Sequence, residues 1–130
     1  MPTGFESRAA TLSAVAVDSV APIEVGPGCW RRDLPSREGL RLWIVDMAPG
    51  AQWPHVDQHD GGGEDVLVVN GELIEGDARH GPGTYLNFAP DSAHQPRTET
   101  GVRLFGINLA VPVPSPATGM SAIADGRGGA

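Results

Sequence analysis

Beyond residue 20 the chain never keeps a helical hydrophobic period for three turns. Its apolar runs are short, and each is closed by Gly, Pro, Asp or Asn. A chain punctuated in this way folds into strands. The runs predict strands at 12–18 (LSAVAVD), 39–47 (GLRLWIVDM), 64–71 (EDVLVVNG), 72–76 (ELIEG), 84–89 (TYLNFA), 93–98 (AHQPRT) and 102–111 (VRLFGINLAV). Asn70-Gly71 between two of these runs predicts a type I′ hairpin, because both residues accept positive φ. Short strands at this spacing argue for an all-β sandwich or barrel. With 130 residues the chain is one domain's worth. Residues 1–38 are expected to form an N-terminal arm with edge strands, 39–111 the core, and 112–130 a tail too poor in large apolar groups to pack as a strand.

Charge and cysteine content narrow the chemistry. A net charge of −7, from sixteen acids against nine arginines and no lysine, repels nucleic acid and anionic membranes. No apolar run approaches the roughly 18 residues of a membrane span, and MPTGFESRAA lacks the basic start and apolar core of a secretion signal, so a cytoplasmic location is expected. Cys29 is the single cysteine, which rules out an internal disulfide and a thiolate zinc cluster. Any metal must be held by nitrogen and oxygen, and Cys29 reads as an inert buried thiol.

The stretch PHVDQHDGGGED, residues 54–65, concentrates the candidates. In an extended strand His55, Asp57 and His59 share one face. Residues two apart lie about 6.6 Å from one another along the strand and suit one ion, whereas four apart is about 13 Å and does not, unless a bulge intervenes. That geometry favours Asp57 with His59 and leaves His55 as the alternative ligand. Gly61 to Gly63 allow a bend that returns Glu64 against the same place. Glu64, Val66, Val68 and Asn70 would then share an inward face, and a carboxylate heading an apolar row needs a cation or hydrogen-bond donors. Trp30, Trp43 and Trp53 read as packing, and His80 as exposed in the hairpin DARHGPG.

These residues resemble the two motifs of the cupins. Gly50, His59, Glu64 and Gly71 fit the first motif, and Gly83, Pro90 and His94 fit the second. The run GTYLNFAPDSAHQPRTETGVRLFGINL is similar to the small cupins related to the metal-binding domain of ChrR-type anti-sigma factors. Asp57 stands where the first histidine of the motif is usual; Ala89 replaces Pro, Asp91 replaces Gly, and Thr98 stands at a usual Asn. Asp tolerates a left-handed backbone, so Asp91 is expected to keep the turn before His94.

The resemblance implies a small antiparallel jelly-roll barrel with one divalent metal ion inside. His59, Glu64 and His94 make a two-histidine, one-carboxylate set suited to Fe(II), with Asp57 as a fourth ligand or an acceptor beside them; Zn is equally expected, and Mn or Ni are compatible. Trp53, Val66, Val68, Leu86 and Phe88 would form the pocket wall. Two functions follow as expectations: a dioxygenase-type enzyme acting on a small chelating molecule, or a non-catalytic metal- or ligand-sensing module of the ChrR type. The two-sided apolar strand LRLWIVDM adds the expectation of a homodimer.

Overall fold

The computed structural model describes residues 12–59 and 62–109. Ten strands follow one another: β1 (Ile23–Gly26), β2 (Cys29–Leu34), β3 (Leu40–Met47), β4 (Asp57–His59), β5 (Glu64–Gly71), β6 (Leu73–Glu75), β7 (Ala78–His80), β8 (Tyr85–Phe88), β9 (Ser92–His94) and β10 (Val102–Leu109). Every pairing is antiparallel. The large sheet runs β1-β2-β3-β10-β5-β8. Opposite it lie the pairs β4-β9 and β6-β7, joined through bridges of Arg97 to Gln52 on one side and to Ile74 on the other. The result is the all-β jelly roll expected of the sequence.

Alternation builds the core. Trp43, Val45 and Met47 of β3, Val66 and Val68 of β5, and Val102 and Leu104 of β10 turn inward against Trp53 and Leu73 of the opposite wall. Each such burial is worth about 1.5–3 kcal/mol. Cys29 is fully buried in the same cluster, and burial pushes its thiol pKa up. Gly106, inward on β10, makes room for Trp43: a Cβ there would lie 1.9 Å from the indole ring. The indole is held in place as its Nε1 donates to Asn108 Oδ1 at 2.7 Å. Gly106→Ala is therefore expected to destabilise the fold by about 2 kcal/mol through overpacking. Urea unfolding measures this, and a midpoint equal to that of the wild type would mean that Trp43 moves aside freely.

Several local expectations are corrected. Residues 12–18 are not a strand; Val17–Ser19 form one turn of 3-10 helix, with a neighbouring ion-pair network. Asp46 on the outer face of β3 binds Arg32 and Arg103, Arg103 reaches Asp18, and Arg32 Nε donates to the Val20 carbonyl. The segment is thus tied to the sheet by side chains. Asn70-Gly71 is not a type I′ hairpin, because β5 and β6 belong to different sheets. Gly71 (φ 75°) has positive φ and Asn70 does not. A Cβ on Gly71 would meet the Gly101 carbonyl at 2.0 Å, so glycine is required by close approach at a corner. Asn70 is also exposed instead of sharing the inward row of Glu64, Val66 and Val68. The register with β10 shifts between Asn70 and Val68, and the extra residue, Val69, reverses the alternation. His80 ends β7 half-buried rather than lying in an exposed loop.

Candidate metal centre

Three strands from the two walls deliver the candidate ligands. Asp57 opens β4 directly opposite His94, the last residue of β9. Glu64 opens β5, paired with Phe88 of β8 on one side and Asn108 of β10 on the other. The chain enters β9 through Asp91, whose φ of 71° makes it the sole left-handed non-glycine among the described residues, as its place in the motif predicted. Gly63 (φ 83°) precedes Glu64, and a Cβ there would meet the Phe88 carbonyl at 2.5 Å.

One ligand atom from each of Asp57, Glu64 and His94 lies within 4.8 Å of the others. His94 Nε2 is 3.5 Å from Asp57 Oδ2 and 3.5 Å from Glu64 Oε1. Asp57 is 5% exposed and Glu64 3%. Two carboxylates so deeply buried need a cation between them or beside them. Burial alone would push the His94 imidazolium pKa down, but hydrogen bonds with Asp57, Glu64 and Glu75 outweigh it and lift it to about 11. Without a metal, the ring carries the cation that the acids require. A divalent ion among these oxygens and Nε2 would satisfy the same need.

Two supports were not anticipated from the sequence. Glu75, on β6, places Oε2 2.7 Å from His94 Nδ1. The Glu75 carboxylate accepts the hydrogen bond from Nδ1–H, which fixes the ring and turns Nε2 toward Asp57 and Glu64. Asn108 donates from Nδ2 to Glu64 Oε2 at 3.2 Å while accepting from Trp43, so Glu64 is anchored from the large sheet. Both positions carry a readable signal: Glu75 follows inward Leu73 by two residues, and Asn108 ends the inward row of Val102, Leu104 and Gly106. Phe88 stacks on the His94 ring, with centroids 4.2 Å apart.

The remaining sequence candidates divide. The backbone of His59 is the third residue of β4, paired with Ser92; its side chain lies outside the described part of the structure. His55 falls in the bend before β4, exposed, with its ring 6.0 Å from that of Trp53, and it is not one of the three grouped ligands. Alternation over 55–59 fails because regular pairing begins only at Asp57. Asp57→Ala is expected to weaken divalent-metal binding about 10-fold or more, and His55→Ala to leave it nearly unchanged. Competition against a chromophoric chelator measures both, and a larger loss in His55→Ala would reverse the assignment.

A small cavity adjoins the ligands. Trp53, Val66 and Phe88 line it together with Trp43, Val45, Met47, Leu73, Pro96 and Leu104. Val68 and Leu86 do not: Val68 is sealed in the core, and Leu86 packs against the outside of that cluster. The space open to the centres of water molecules is about 20 Å³, room for one or two waters. The Trp53 indole N–H is buried and has no hydrogen-bond partner among the described residues.

Comparison with known proteins agrees with this fold. No curated protein matches the chain in sequence. Among solved structures, a predicted oxalate decarboxylase from Thermotoga maritima is similar with a TM-score of 0.67 at 14% identity, over 76% of this chain and 100% of that one. The polyketide cyclase RemF from Streptomyces resistomycificus gives 0.66 at 18% identity, over 80% and 83%. The complex of Rhodobacter sphaeroides SigE with the anti-sigma ChrR gives 0.63 at 20% identity, over 72% of this chain and 50% of that one. The ChrR cupin-like domain family matches residues 11–111, a span that includes every described strand, and the chain belongs to that family.

Proposed function

We propose that this protein binds one divalent metal ion at Asp57, His59, Glu64 and His94 and acts on a small molecule as a dioxygenase-type enzyme. Fe(II) or Zn is the expected ion, with Mn or Ni compatible. The observation that carries the reading is the convergence of Asp57, Glu64 and His94 from three strands, with both acids at least 95% buried. A bound ion supplies Lewis acidity and, as Fe(II), a source of electrons for dioxygen. The chain's own residues do the rest. Glu75 orients His94, Asn108 orients Glu64, and the apolar wall of Trp53, Val66 and Phe88 keeps bulk water from the ligands. The restricted room selects one end of a compact chelating molecule rather than a large polar one.

A second reading, a metal- or ligand-sensing module, is favoured by membership of the ChrR cupin-like family. An oxygen electrode separates the two. Iron-loaded protein is expected to consume oxygen with a β-diketone or catechol-like compound. Zinc recovered at full occupancy, with no uptake by the iron form, would remove the oxygenase reading and leave sensing. We place the protein in the cytoplasm; no helix among the described residues is long and apolar enough to cross a membrane.

A homodimer through the outer face of the large sheet belongs to the same proposal. Leu67, Tyr85 and Leu109 are exposed there, more apolar surface than a wet face needs. Light scattering should give twice the chain mass of 13.5 kDa, and a monomer at all working concentrations would remove the dimer.

A further inference from the structure

The formal charges around His94 limit what can join an ion there. Asp57 and Glu64 face its Nε2, and Glu75 holds its Nδ1. Three carboxylates with a neutral imidazole sum to a charge of −3, and a divalent ion leaves the cluster at −1. His59, as a neutral imidazole, does not alter that sum.

Among the described residues nothing in the cavity wall compensates. Apart from the cluster, the polar side-chain atoms of the lining are two uncharged indole N–H groups, that of Trp43 donating to Asn108 and that of Trp53 without a partner among the described residues. No arginine among the described residues lines the cavity, and the chain has no lysine. Arg31 pairs with Asp33, Arg32 and Arg103 with Asp46, and Arg79 and Arg97 with Glu99. Arg41, paired in register with inward Asn108, is also absent from the lining. An anion entering would leave water for an apolar, net-negative pocket with no counter-charge, whereas a neutral molecule forfeits only dipolar solvation.

We infer that the centre takes compact ligands that enter it uncharged and offer an oxygen or nitrogen donor, and rejects carboxylates, oxalate among them, which enter charged. This rests on the metal-binding reading above. It would set the chain apart in chemistry from the predicted oxalate decarboxylase whose fold it shares.

The test uses protein loaded with Co(II), whose visible absorption reports the ligands directly. Stoichiometric uptake is measured first; if no Co(II) is held, the metal reading falls and this inference with it. Imidazole, azide and oxalate are then titrated separately at pH 8 and constant ionic strength. Saturable spectral change with imidazole, and azide and oxalate binding at least about 10-fold more weakly, is the expected result. Oxalate or azide binding as tightly as imidazole to fully loaded protein would overturn the charge inference while leaving the metal site standing. Glu75→Gln, which keeps an acceptor for His94 and removes one charge, should strengthen azide and oxalate several-fold relative to imidazole, all three titrated at full Co(II) loading. Anion affinities unmoved in that variant would equally refute the inference.

Discussion

Alanine at His94 or at Glu64 should lower divalent-metal affinity by about 100-fold or more, the largest loss expected of any single change in this chain. His94 supplies the nitrogen between two acids, and its departure leaves Asp57 and Glu64 with neither imidazolium nor ion to face. The metal-free variant should therefore also lose stability, because an uncompensated buried charge costs about 3–5 kcal/mol. Glu64→Ala acts differently. It removes an oxygen donor and one of the two acceptors of Asn108 Nδ2, leaving that amide the longer bond of 3.5 Å to the Gly63 carbonyl in place of 3.2 Å to Glu64 Oε2. Chelator competition and urea unfolding on the same preparations separate the two effects. Affinity within threefold of wild type in either variant would place the ligands elsewhere.

Metal affinity should rise about tenfold per pH unit from pH 6 to 9, with one proton released per ion. The cause is the His94 imidazolium, held to about pH 11 by the three acids in the metal-free protein. An ion can occupy Nε2 only after that proton leaves, so proton and metal compete. The metal-free fold carries the opposite dependence. The folded pKa of about 11 exceeds the usual value of 6.5, so the ring's contribution to stability is complete below about pH 6.5 and is lost as pH rises through about 11. Calorimetry in buffers of differing ionisation heat counts the released proton. Affinity independent of pH over this range would mean that His94 is neutral before the metal arrives.

The positions of Asp57, Glu64 and His94 were legible because cupin motif spacing encodes a contact between strands far apart in sequence. The left-handed turn at Asp91 was legible for a related reason, since Asp is among the few non-glycine residues that accept it. Glu75 was passed over although it alternates with inward Leu73, because a single acid in the short run ELIEG looks like solvated surface until its carboxylate is seen against His94. The Asn70-Gly71 hairpin failed because a turn dipeptide fixes local backbone preference and says nothing about which sheet the next strand joins. The bulge at Val69 was equally hidden, since periodicity assumes an unbroken register. Strands β1 and β2 were anticipated only as edge strands, their alternation interrupted by Gly26, Pro27 and Gly28.

Asp57 and His94 belong to one wall of the jelly roll and Glu64 to the other, so an ion held by all three would rivet the walls together at one end. Occupancy would then be felt as mechanical coupling. The amides of β4 and β9, in a pair three residues long, should exchange with solvent more slowly when the rivet is in place, while those in the middle of β3 and β10, already clamped on both sides, should hardly change. The short β4-β9 flap would serve as the part of the barrel that reports whether the centre is filled.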